Sequence, residues 1–306
     1  RQRPQQQHRR RHGHAGQPDA LPDIDLTVDD LRYGDLDLGR LRLSAANQDG
    51  GRRWQIRELV LDNPAARLQA SGDWQLPPGK GAGERRTTIE AAWKIRDAGK
   101  LLARLGMPDV VAGGHGDASG TLTWTGAPYA HDLASLTGHV GIALDKGSFL
   151  NAPSSAGRLL GILSLQSLAR TATFQSGNLF ESGFAWDTIR SDVAVNNGVA
   201  EIASFRMNGP RATAVLSGTA NLLAETQNLQ AVIVPHVDAS AAALLAGLAV
   251  NPVIGVGAFL TQWLLREPLA QALTYQYAIT GTWSEPKVTR VQAPREESRA
   301  ESETLF

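Results

Sequence analysis

"DIDLTVDDLRYGDLDLGRLRLSAANQDGG", residues 23–51, alternates apolar and polar side chains at a period of two. Ile24, Leu26 and Val28 fall on one side of an extended chain, and the aspartates between and beside them on the other. Leu36 with Leu38, and then Leu41 with Leu43, repeat the pattern before the Asn- and Gly-rich 47–51 turns the chain. A helix, with 3.6 residues per turn, would scatter these residues around its circumference. The stretch therefore predicts half-buried antiparallel strands with one apolar and one polar face.

The same alternation extends through "WQIRELVL" (54–61), "VAEIASFRM" (199–207) and "NLQAVIVP" (228–235), with turn signals at "NNG" (196–198) and "NGP" (208–210). Helical periods are few. "RDAGKLLARLGMP" (96–108) sets Leu101, Leu102 and Leu105 on one side before Gly106 and Pro108, and "SSAGRLLGILSLQSLAR" (154–170) groups Leu159, Ile162 and Leu163 with Leu168 beyond. The chain reads as mainly β with a few short amphipathic helices.

"LDNPAARLQASGDW" (61–74) and "MNGPRATAVLSGTA" (207–220) align without gaps, sharing Pro64/Pro210, Ala66/Ala212, Ser71/Ser217 and Gly72/Gly218. A Gly, Trp, Pro device recurs as Gly72-Trp74-Pro77, Gly120-Trp124-Pro128 and Gly281-Trp283-Pro286. Each Trp is expected to close a strand by packing over a neighbour, and each Pro to stop the ladder. Repeated strand pairs of this kind suit a meandering sheet.

The 306 residues carry no net charge, yet residues 1–18 hold five arginines and no acid, leaving the body mildly acidic. That excludes the basic face a nucleic-acid-binding body needs. The polar opening, including His8, His12 and His14, is expected to be a disordered basic linker (1–20), and 292–306 a disordered tail. The chain reads as the carboxyl-terminal part of something longer, lacking an initiator Met and a signal peptide. There is no cysteine, so disulfides and thiolate metal sites are absent.

No nucleophile elbow, zinc helix or phosphate-cradling loop occurs, and His115, His131, His139 and His236 are dispersed; neither enzyme chemistry, cofactor nor metal is expected. Asp23, Asp25, Asp35 and Asp37 alternate with apolar residues and lack the glycine of a calcium loop, so they read as solvated strand charges.

Residues 101–170, with "LLARLGMPDVVAGGHGDASGTLTWTGAPYAHDLASLTGHVGIALDKGSFLNAPSSAGRLLGILSLQSLAR", resemble the late region of the YhdP family of the AsmA-like superfamily. The likeness continues through "GFAWDTIRSDVAVNNGVAEIASFRMNGPRATAVLSGTANLLAETQNLQAVIVP" and "NPVIGVGAFLTQWLLREPLAQALTYQYAITGTWSEPKV", covering about residues 21–291. The resemblance implies an elongated, curled, taco-like β-groove at the periplasmic face of a Gram-negative envelope, with amphipathic helices at its end. The whole protein would be anchored in the inner membrane by an amino-terminal helix that is not in this chain. Its cargo would be phospholipid, passed toward the inner leaflet of the outer membrane or a partner there. The alternative is a non-conducting structural or assembly factor for outer-membrane biogenesis.

Groove-lining candidates are Leu26, Val28, Leu41, Leu43, Ile56, Leu59, Leu61, Val193, Val195, Ile202, Phe205, Val232 and Val234. Alternation does not say which face points inward, and the same residues fit core positions packed on a helix. The run from Ala239 to Leu265 has no charged side chain and is long enough to span a bilayer as one helix. Asn251-Pro252 splits it and Gly247, Gly255 and Gly257 weaken both halves. It therefore predicts a helical hairpin, with Val253, Val256, Phe259, Leu260, Trp263 and Leu264 as a lid or membrane-touching face.

Overall fold

The computed structural model describes residues 21–34, 36–79, 84–130, 132–150, 184–235 and 275–291. These form one antiparallel sheet of thirteen strands in sequence order. The strands are β1 (Ile24–Tyr33), β2 (Leu36–Gln48), β3 (Arg53–Asp62), β4 (Ala66–Gln75), β5 (Arg86–Ile95), β6 (Val111–Thr125), β7 (Thr137–Phe149), β8 (Phe184–Asn196), β9 (Val199–Asn208), β10 (Ala212–Asn221), β11 (Thr226–Pro235), β12 (Tyr275–Thr282) and β13 (Pro286–Val291). Each pairs only with its sequence neighbours, so β1 and β13 each leave an edge and the sheet is not a closed barrel. At about 4.8 Å between strands its twelve spacings run roughly 58 Å.

A meander puts alternate connections on opposite rims. The rim holding the β2–β3, β4–β5, β6–β7, β8–β9, β10–β11 and β12–β13 connections is a turn rim; Asn197 and Gly198, at φ 48° and 75°, make its tightest hairpin. On the opposite rim the β5–β6 connection carries α1 (Ala98–Arg104), and the chain leaves the sheet there after β7 and again after β11. The predicted helices over 154–170 and 239–265 lie outside the described residues, as do Val253, Val256, Phe259, Leu260, Trp263 and Leu264.

Helix α1 matches its sequence signals. Asp97 caps it by accepting from the Lys100 amide at 3.0 Å, and Arg104 ties it to β2 by donating to the Asp37 carboxylate at 2.6 Å and carbonyl at 3.0 Å. Leu105, expected on the buried side, falls just beyond the helix and is 41% exposed.

The sequence repeat is also a structural one. Strands β2 to β5 are 13, 10, 10 and 10 residues long, and β8 to β11 repeat these lengths. The β3–β4 hairpin bulges between Ile56 and Leu59, and β9–β10 bulges opposite Ile202 and Phe205 at the equivalent place. The turn bond from the Asn63 amide to the Ala66 carbonyl recurs from Gly209 to Ala212. In the Gly, Trp, Pro device, Trp74 and Trp124 are penultimate strand residues, as expected of a closing position. Pro286 instead opens β13, the edge strand, where a missing amide donor is tolerated.

Candidate functional site

Cross-strand partners in an antiparallel sheet share a face, so the register turns alternating sequences into rows that cross the strands. One row is Leu26, Leu43, Leu59, Ala70, Ala91, Gly120, Val140, Val193, Ile202, Gly218, Leu229, Ile279 and Val288. It crosses all thirteen strands with no polar side chain. Its neighbour runs Val28, Leu41, Leu61, Leu68, Trp93, Ala118, Ile142, Ser191, Phe205, Leu216, Ala231, Tyr277 and Arg290, apolar but for Ser191 and the two residues at its end. On the other face the row through Ser71, Glu90, Thr121, His139, Ala194, Glu201, Thr219, Asn228, Thr280 and Lys287 is polar in every member but Ala194.

Backbones of neighbouring strands crowd on the apolar side of the curled sheet. Gly72, Gly116, Gly120, Gly138 and Gly218 all lie on that side, and a Cβ at each would sit 2.0–2.3 Å from a carbonyl oxygen of the next strand. Neighbouring backbones converge there, as on the concave side of a bend that glycines and bulges allow. Among the described residues the result is an apolar trough running across the strands. Its floor is half-buried from β3 to β7 and almost fully buried at Ile202, Leu229 and Ile279.

The rims hold the curvature. On the turn rim Trp54, Trp74, Thr87 and Trp124 are cross-strand partners. Trp54 donates its indole N–H to the Pro22 carbonyl at 2.8 Å, Trp124 to that of Ala127 at 3.1 Å, and the Arg85 guanidinium lies 4.5 Å from the Trp74 ring centre. On the opposite rim the Trp186 indole lies against Gly114 and Gly147, beside Ala98 of α1. In this region β6 and β7 change phase through the left-handed Gly113, Gly114 and Lys146, and Phe149 and Trp186 join the apolar cluster of β8 to β12. His115 is a residue of β6 in that irregular stretch.

Eleven of the thirteen lining candidates share the apolar concave face: Leu26, Val28, Leu41, Leu43, Ile56, Leu59, Leu61, Val193, Val195, Ile202 and Phe205. Val232 and Val234 lie on the other face, opposite Val215 and Thr213. The run Ala231–Val234 is apolar on both sides, so it carries no alternation, and Ala231 and Ile233 are the residues that face the trough. Trp93, Val140, Ile142, Leu216 and Tyr277 belong to the same floor and were not singled out. In β5 and β7 alanines and glycines interrupt the pattern; the signal that finds these residues is their register with Leu68 and Leu59 across the hairpins.

Tyr277 is 1% exposed, its hydroxyl has no partner among the described residues, and burial raises its pKa above the ordinary value while Arg290 pulls the other way. It therefore keeps its proton and remains a donor. No cluster of potential metal ligands occurs among the described residues, and none of their helices is long and apolar enough to cross a membrane.

No solved structure matches the chain. It is 28% identical over 240 residues to the intermembrane phospholipid transporter YhdP of Escherichia coli (strain K12), an alignment covering 78% of this chain and 19% of that protein. The chain thus spans about a fifth of the length of the curated relative it matches. The family model described as YhdP protein matches residues 2–288, and the chain belongs to that family.

Proposed function

We propose that this chain is a distal segment of an envelope lipid conduit, its curled sheet sheltering phospholipid acyl chains in the apolar trough while headgroups stay in water. The observation that carries the reading is the row from Leu26 to Val288, which crosses thirteen strands without a polar side chain. Sheltering a methylene from water is worth about 0.8 kcal/mol, so an acyl chain of a dozen or more carbons gains on the order of 10 kcal/mol. A continuous floor lets that gain persist as the lipid slides. No bond is made or broken, so the role needs no catalytic group. The curated relative's name, a phospholipid transporter acting between membranes, supports both the cargo and a periplasmic setting between inner and outer membrane.

Charge placed on the floor tests the reading. Ala91→Asp or Val140→Asp, both on half-buried positions of the row, should weaken binding of a fluorescent phospholipid about tenfold while the chain stays folded. Glu90→Gln, on the outer face beside Ala91, should leave binding unchanged. Equal binding by all three variants would remove the trough from the account.

A further inference from the structure

The two central rows of the trough differ in one chemical respect. The row from Leu26 to Val288 has no polar side chain, whereas its neighbour, followed from Val28 on β1 to β12, carries two hydroxyls, Ser191 on β8 and Tyr277 on β12. Both residues are buried. Tyr277 is 1% exposed on a floor otherwise made there by Leu216, Ala231 and Ile279, and its hydroxyl has no hydrogen-bond partner among the described residues. Ser191 stands in register between Ile142 and Phe205, and its hydroxyl likewise makes no hydrogen bond among the described residues. A buried hydroxyl without a partner costs stability, and phenylalanine and alanine would occupy the same places without that cost. Two such donors on one row ask for acceptors that the described residues do not supply. An acyl chain has none to offer. The ester carbonyls that join it to glycerol do, and they follow the chain's first methylenes while a charged headgroup stays in water.

We propose that Tyr277 and Ser191 are specificity-determining residues of the trough, each donating a hydrogen bond to an ester carbonyl oxygen of a diacyl lipid whose chains lie on the floor beside it. The inference rests on the conduit reading above and adds to it two places where the lipid pauses. The residues stand four strand spacings apart, about 19 Å, more than the roughly 15 Å depth of one leaflet's acyl layer. Successive lipids in file can therefore each meet one hydroxyl. The contact reads the ester linkage and not the charge beyond it, so it separates diester lipids from ether lipids and bare hydrocarbon and is indifferent to the headgroup.

The test compares dihexanoyl phosphatidylglycerol with its dihexyl ether analogue, which lacks both ester carbonyls, as ligands of the whole chain by calorimetry below micelle-forming concentrations. Tyr277→Phe, which removes only the hydroxyl, should weaken the diester about threefold and the diether by less than about 1.5-fold; Ser191→Ala should act in the same sense by about twofold. In infrared spectra the ester carbonyl stretch of isotope-labelled lipid should fall on binding to the unsubstituted chain, and fall less on binding to either variant. Thermal unfolding of the lipid-free Tyr277→Phe chain should stay where it was or rise, because no internal hydrogen bond is lost. Equal affinity for the two lipids, or an ester preference that survives both substitutions, would overturn the two stations and leave the conduit standing; binding of neither lipid would sink both. A lipid-free Tyr277→Phe chain that unfolds at a clearly lower temperature would also overturn the assignment, since the hydroxyl would then serve the fold.

Discussion

Gly120 shows how a single side chain decides the shape of the sheet. A Cβ there would lie 2.2 Å from the His139 carbonyl oxygen, backbone that cannot move without breaking the β6–β7 ladder. Gly120→Ala should therefore cost about 2 kcal/mol or more in urea unfolding. Gly79→Ala, at φ +73° with open space around it, should cost only about 1 kcal/mol, through backbone strain. Asp97 gives a pH signature: hydrogen bonding to the Lys100 amide, the largest of several causes, holds its carboxylate below its ordinary value. Its contribution to α1 is thus complete above an unfolded-state pKa near 3.8 and is lost as pH falls from there through the lower folded value. Amide exchange at Lys100 should speed up over that window, and Asp97→Asn should flatten the dependence. The sequence announces the helical period that follows Asp97, because that period is a local signal. It does not announce Gly120, whose role depends on which residue lies opposite.

At the scale of elements, the paired hairpins reach the same geometry with different turn chemistry. In β3–β4, Asn63 accepts from the amides of Ala65 and Ala66 at 2.9 and 3.0 Å and donates to the Leu38 carbonyl at 3.1 Å. In β9–β10 that place is Gly209, where a Cβ would meet the Ala185 carbonyl oxygen at 2.4 Å. Asn63→Ala should destabilise by about 1–3 kcal/mol, since it strands buried amides. Gly209→Asn should destabilise as well, although it copies the other hairpin, and thermal unfolding of both variants checks the pair. Strand positions were readable wherever polarity alternates, as in β1, β2, β3 and β9. They were not readable as faces in Ala231–Val234, where a one-residue phase choice exchanges Val232 and Val234 for Ala231 and Ile233.

For the whole molecule, the trough is a property of register rather than of composition. Leu26 and Val288 are 262 positions apart in the chain, yet they close the two ends of one uninterrupted row. Local alternation supplies each member, but only the thirteen-strand meander with its curl sets them in line and turns them inward. That is why the fold class and part of the floor, Leu26, Leu43, Leu59, Val193 and Ile202 among it, could be read from the residues, while Trp93, Ile142 and Tyr277 could not. The most direct test places a photo-activatable crosslinking residue at Leu59, Ala91 or Val140 on the inner face, and at Glu90, Thr121 or Glu201 on the outer face. Each chain is illuminated with vesicles of phosphatidylethanolamine and phosphatidylglycerol, and adducts are read by mass spectrometry. The account predicts phospholipid adducts from the first three positions and none from the second three; adducts from both faces alike, or from neither, would contradict it.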